Sequence, residues 1–248
     1  MIKIQRLPAP EELTPEVVEA KTTQFKADNT KAVWKEPYIE SRLKDMSHEK
    51  CCYCEVKLDE ESKYMEVEHF HDKHDYPDEV VDWNNLLPSC KNCNGHKGTH
   101  NTVANPIVNP SVDDPRDYLG FREYAYKEKN PIGKETYEAL NLNDTMKLCV
   151  PRYVVCEEMR KKVLGFIDRA NNITPATLTR VKNKLRNDVV ELLEACQCDQ
   201  EYTAIKATMM VNNPDYITLV NEMKACGLWT QALVDLDLKM REYVMDLL

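Results

Sequence analysis

The stretch that decides the fold is Trp83–Gly98, WNNLLPSCKNCNGHKG. Cys90 and Cys93 stand in it with two residues between them, a spacing that lets both thiolates of one turn face a single ion. A matching pair, Cys51 and Cys54, lies upstream in CCYC. Two such turns supply the four sulfurs of a tetrahedral zinc site. A site closed by four sulfurs is structural, because it leaves no open position for substrate. Cys52 competes with Cys51, but Cys52-x-Cys54 is a poorer bite, so Cys51 is the expected ligand and Cys52 a packed bystander. The bland alternative is four buried free thiols, which the paired spacing argues against. CKNC should open a helix, with Gly98 as its stop.

Reading cysteines as metal ligands depends on compartment. No apolar stretch approaches the roughly 18 residues of a membrane span. The opening MIKIQRLPAPEEL lacks the apolar centre of a signal peptide, so the chain is expected in the cytoplasm, where paired cysteines suggest metal before disulfides. The other five cysteines (Cys149, Cys156, Cys196, Cys198, Cys226) are scattered among apolar residues and read as small core side chains. All six histidines fall between His48 and His100, in the same fifth of the chain as the cysteine pairs, so the chemistry is sought there.

The 35 residues between the pairs are more than a simple zinc ribbon needs. They contain Val67-Glu68-His69-Phe70, an acid and an imidazole in an apolar frame. YMEVEHF alternates and is rich in strand formers, so it reads as a strand delivering polar groups to a pocket. Asn85 follows, and Asn94 comes directly after Cys93. By itself Glu68-His69 would be an ordinary exposed pair; it gains meaning from Asn85 and Asn94 following in order. A strand with Glu68 and His69, a loop fixed by Asn85 and a helix with Asn94, clamped start to end by zinc, form a ββα-metal arrangement. Its pieces are those of hydrolytic phosphodiester chemistry.

At CYCE, VEHF and WNNLLPSCKNCNGHKG, over about residues 51–98, the chain resembles the HNH endonucleases. The resemblance implies that Glu68 and Asn94 hold one divalent cation, Mg²⁺ or a similar hard ion, at the scissile phosphate. It makes His69 the general base that deprotonates water, with Asn85 orienting it through backbone hydrogen bonds. Lys97 would contact phosphate or pair with an acid near the zinc. Many family members carry His where this chain has Asn94, a neutral and weaker ligand. His96 is the second-choice ligand; His71 shares the face of His69 by alternation and would contact phosphate or a metal, and the alternative for His71 and His74 alike is a surface loop residue. The order IKIQR-PAPEELT, CYCE, VEHF, WNNLLPSC, GKETYEALNLND, PRY is further similar to the HNH subunits of Septu anti-phage systems, including those associated with retrons. That similarity implies a partner, an ABC/SMC-like ATPase, holding the nuclease in check.

The expected fold class is α+β: a small zinc-stabilised ββα-metal core embedded in a mostly α-helical protein. The expected division is an N-terminal helical segment (1–48), the nuclease core with its zinc site (49–105) and a mainly helical C-terminal domain (106–248). IKIQR reads as a short edge strand. Thr14-Pro15 and Thr174-Pro175 read as helix caps followed by first turns. DYPDEVVDWNNLLPSC reads as a turn, a short helix and a loop, and NTVANPIVNPSVDDP as a surface linker. YLGFREYAYKEKNPIGK suggests a hairpin, ETYEALNLND a short helix, and WTQALVDLDLKMREYVMDLL a closing amphipathic helix.

The net charge of −9 does not by itself advertise a nucleic-acid binder. Residues 51–100 hold five Lys against eleven acids, so this centre needs basic surface from elsewhere in the chain or from a partner. Residues 151–186 carry nine Lys or Arg against three acids, and residues 187–248 four against eleven. The basic segment reads as a nucleic-acid track or part of a dock, the acidic tail as a docking surface, and both equally as solvated helix faces. Two competing functions are an inactive zinc-stabilised adaptor and a stand-alone restriction-type HNH nuclease. The latter would need a base-reading domain, of which the sequence shows no clear sign.

Overall fold

The computed structural model describes residues 1–58 and 64–248, which divide into two compact units. The first comprises 1–120 and 126–143, the second 121–125 and 144–248. Among the described residues no helix is long and apolar enough to cross a membrane.

The first unit is built around a hairpin and a short helix. Strand β1 (Met65–His69) pairs antiparallel with β2 (Leu86–Cys90), placing Glu68 opposite Leu87 and His69 opposite Leu86. Cys90 ends β2 and caps α3 (Lys91–Lys97), its sulfur accepting the Cys93 N–H at 3.5 Å. Gly98, at φ 50°, stops the helix as its sequence position suggests. LLPSC is thus a strand and not the expected loop. Leu86 and Leu87 are wholly buried, and such a run shows no alternation to betray a strand. Pro88 lacks an N–H, yet its carbonyl accepts the Cys52 N–H at 2.9 Å and so draws the CCYC turn onto the hairpin.

Two helices precede the hairpin: α1 (Pro15–Ala27), capped by Thr14, and α2 (Pro37–Ser47), which leads into the cysteines through His48 in left-handed conformation. Phe25 of α1 packs with Val33, Val80 and Val81, with Trp34 against the same cluster, so α1 backs the loop that follows β1. IKIQR forms no strand. Ile2 and Ile4 are buried, and Ile4 N–H bonds the Pro110 carbonyl at 2.8 Å. The expected surface linker is likewise packed inward, with Ile107 and Val108 buried and the Val108 N–H on Thr136 Oγ1 at 2.9 Å. Its prolines forbid regular structure, but its apolar side chains still bury. A second hairpin follows as expected, β3 (Leu119–Arg122) and β4 (Ala125–Glu128), but helix α4 (Pro131–Ala139) starts four residues before ETYEALNLND, because Asn130 caps it and Pro131 opens its first turn.

The second unit is helical: α5 (Val150–Asn171), α6 (Thr179–Glu194), α7 (Thr203–Val211), α8 (Pro214–Ala225) and α9 (Gln231–Arg241). Val163, Leu185, Val189, Leu193, Tyr216, Leu219, Met223 and Leu233 are fully buried in its core. Tyr216 also donates to Asp237 at 2.7 Å. Two expectations change here, at the start of α6 and the end of α9. Helix α6 starts at Thr179, because 174–177 closes on itself through the Thr174 N–H to Thr177 Oγ1 bond at 2.8 Å. The buried helix α7 has no amphipathic stripe to announce it. Helix α9 stops at Arg241, and the Leu248 N–H bonds the Phe121 carbonyl at 2.8 Å. Of the scattered cysteines, Cys156 and Cys196 are buried and Cys149, Cys198 and Cys226 half-buried.

Candidate functional site

The four cysteines of the two pairs converge. The sulfurs of Cys51, Cys54, Cys90 and Cys93 lie within 4.8 Å of one another, all buried, and Cys52 is not among them. Four sulfurs at about 2.3 Å from a tetrahedral zinc stand about 3.8 Å apart. Cys54 and Cys90 are separated by 3.7 Å. Hydrogen bonding to the Cys51 sulfur holds the Cys54 and Cys93 thiols well above their usual range, and a bound cation would favour their thiolate forms. The donor set, its spacing and its burial suit a structural zinc ion.

The hairpin and α3 border a cleft of about 450 Å³ lined by Trp34, Glu66, Glu68, His69, Lys73 and Asn94, among others. His69 ends β1, and its Nε2 lies 2.9 Å from the Val80 carbonyl oxygen. A carbonyl can only accept, so Nε2 carries the proton and Nδ1 keeps a lone pair. Burial lowers the imidazole to about 4, which leaves it neutral near pH 7. Trp34 meets the ring edge-on at 4.7 Å between centroids, and Lys73 lies over Trp34 at 5.2 Å.

Asn85 stands behind the cleft. Its Oδ1 accepts the His71 N–H at 2.7 Å, and its Nδ2 donates to the carbonyls of His71 and Glu79 at 3.0 and 3.2 Å. These bonds gather the loop that carries Val80. Glu68 is buried and paired with Lys97 at 2.7 Å, while Lys97 also donates to the His69 carbonyl at 2.7 Å. Burial, opposed by Lys97, pushes the Glu68 carboxyl up to about 7. Asn94 Nδ2 donates to Glu66 Oε2 at 2.6 Å. Glu68, His69 and Asn94 therefore share one cleft, and Asn85 reaches it through backbone.

No family model matches the chain. It is 42% identical to a Septu protein PtuB of Bacillus thuringiensis, over 92% of this chain and 89% of that protein. The chain belongs to the Septu PtuB family. A Septu protein PtuB of Bacillus mycoides is 29% identical over 68% of this chain and 71% of its own length. Several residues around the cleft of this PtuB-family chain escape sequence reading. Arg6 donates to the carbonyls of Trp83 and Leu86 at 2.6 and 3.1 Å, on either side of Asn85, from a segment that reads only as a strand. Trp34 and Lys73 carry no periodic signal. Glu66 shares the Glu68 face of β1 by alternation, a signal present in the sequence. His96 takes an Asn141 N–H at 3.2 Å and lines no part of the cleft. His71 Nδ1 meets Glu79 at 2.7 Å, and the His74 N–H meets Asp72 at 2.9 Å.

Proposed function

We propose that this chain is a metal-dependent HNH endonuclease that hydrolyses nucleic-acid phosphodiester bonds. We further propose that it serves as the effector of an anti-phage defence complex with an ABC/SMC-like ATPase. The observation that carries the nuclease reading is the His69 imidazole, buried, neutral and tied through Nε2 to the Val80 carbonyl, in the same cleft as Glu68 and Asn94. An imidazole so held accepts a proton at Nδ1 from an attacking water. Asn85 keeps the Val80 loop in place and thereby the ring. Glu68 and Asn94 would hold a hard dication such as Mg²⁺, which when bound neutralises charge on the phosphate and on the departing 3′ oxygen. Lys97 holds Glu68 and the end of β1 together. The zinc ion would have no chemical part, since all four of its donors are buried sulfurs.

Membership of a family named for Septu supports the defence role. The acidity of residues 51–100 supports the need for basic surface elsewhere. Arg160, Lys161, Lys162, Arg180 and Lys184 are exposed on α5 and α6 and supply such charge. The test incubates the purified protein, with and without the neighbouring ATPase, on plasmid, single-stranded DNA and tRNA in Mg²⁺. Wild type should cleave at least one substrate, more strongly with the ATPase, and His69→Ala should abolish cleavage while retaining fold and zinc. Undiminished cleavage by His69→Ala refutes the assigned base. Absence of cleavage by wild type with its partner favours the adaptor reading.

A further inference from the structure

Helix α3 docks on β1 through two rungs. Asn94 and Lys97, three residues apart on one helix face, meet Glu66 and Glu68, two residues apart on one strand face. The second rung is a closed ion pair, Lys97 to Glu68 at 2.7 Å, both side chains almost wholly buried. The first is different: Asn94 and Glu66 are each half-buried, both line the cleft, and the bond from Nδ2 to Oε2 is 2.6 Å long.

We propose that Glu66 is a positioning residue that turns the Asn94 amide so that its oxygen, not its NH₂, is offered to a cation in the cleft. The inference rests on the nuclease reading above. A primary amide is a ligand at one end only. Its oxygen coordinates a hard cation, whereas its NH₂ is a donor and repels one. An asparagine ligand therefore needs its amide orientation selected, as a histidine ligand needs its tautomer selected. A carboxylate can only accept hydrogen bonds, so Glu66 engages the NH₂ end of the amide and no other. The Oδ1 atom, on the far side of the same carbon, is thereby turned away from Glu66. Partners outside the ligand shell commonly orient metal ligands in this way.

The test measures Mn²⁺ binding by the zinc-loaded full-length protein, reading the free-ion electron paramagnetic resonance signal, and needs no cleavage. Glu66→Ala should weaken Mn²⁺ binding by about tenfold to a hundredfold. Glu66→Met, which keeps the bulk of the stem, should do the same and stands in if the alanine variant does not fold. Glu66→Gln retains an acceptor oxygen for Nδ2 and should stay near wild type. In the double variant Glu66→Ala with Asn94→Asp, both ends of residue 94 are oxygen, so binding should recover. Unchanged binding by both Glu66→Ala and Glu66→Met overturns the proposal. So does a Glu66→Gln variant as weak as Glu66→Ala, since the carboxylate charge itself would then be what the cation needs. Mn²⁺ binding that Asn94→Ala leaves unchanged also overturns it. Failure of the nuclease reading shows separately, as absent cleavage by a wild-type protein whose Mn²⁺ binding still depends on Asn94 and Glu66.

Discussion

Asn85→Ala is the sharpest test of how the cleft is held. The side chain is buried and makes three bonds to main-chain groups, at 2.7, 3.0 and 3.2 Å. Each such bond contributes about 1 kcal/mol net, and buried partners left unsatisfied add to the loss, so removal should cost about 3–5 kcal/mol. At a urea slope of about 2 kcal/mol/M, the lower figure moves the midpoint by roughly 1.5 M. Trp34 and Trp83 lie in the first unit and Trp229 in the second, so fluorescence in a Trp229→Phe background follows the first unit. Asn85→Asp should be nearly as costly, because it sets a carboxylate oxygen against the His71 and Glu79 carbonyls. Cleavage should fall in kcat, since the loop carrying Val80 aligns His69, and KM should rise with it, since Asp72 and Lys73 of the same loop line the cleft. A midpoint unchanged by Asn85→Ala would refute the assignment of this side chain as the fastener of the loop.

Stripping zinc with a strong chelator, or Cys93→Ser, should unfold the hairpin and α3, seen as lost protection of their amides in hydrogen exchange. Cys52→Ser should still bind one zinc per chain by metal analysis, since Cys52 is outside the sulfur cluster. Gly133→Ala would set a Cβ 2.0 Å from the Tyr118 carbonyl oxygen, so α4 must shift, and denaturation should show a loss of about 1–3 kcal/mol. With the Glu68 carboxyl raised to about 7, proton and cation compete for it: Mn²⁺ affinity should climb as pH rises through 7 and level off above. The climb should be absent in Glu68→Gln, and a wild-type affinity flat from pH 6 to 8, about one unit either side of that value, contradicts the assignment.

What the sequence displays best is local. Both cysteine pairs, the alternation of β1, the opening of α3 by CKNC and its stop at Gly98 all depend on residues a few positions apart, and all are present in the structure. What it hides depends on distant partners. Strand β2 exists because Leu86 and Leu87 bury between other elements, and Pro88 masks the pattern further. Ile2, Ile4, Ile107 and Val108 are buried without regular structure, so neither a period nor a cap announces them. The roles around the cleft divide in the same way. Glu68, His69, Asn85 and Asn94 stand out by order along the chain, whereas Arg6 reaches the Asn85 loop from 77 to 80 residues away. The pairing of Lys97 with Glu68 and of Asn94 with Glu66 needs the docking angle of α3, which no spacing rule supplies.

The proton on His69 is anchored by a main-chain oxygen, and that has a consequence for how the protein tolerates change. Replacing the side chain at position 80 leaves the acceptor present, so the tautomer of the ring is insulated from the genetic code at the position that sets it. Vulnerability passes instead to whatever shapes the path of the backbone there: the bulk of Phe25, the fit of Val81, the grip of Asn85. On the nuclease reading, random mutagenesis screened for loss of cutting should therefore collect its indirect hits at such residues of α1 and the hairpin loop, outside the cleft lining.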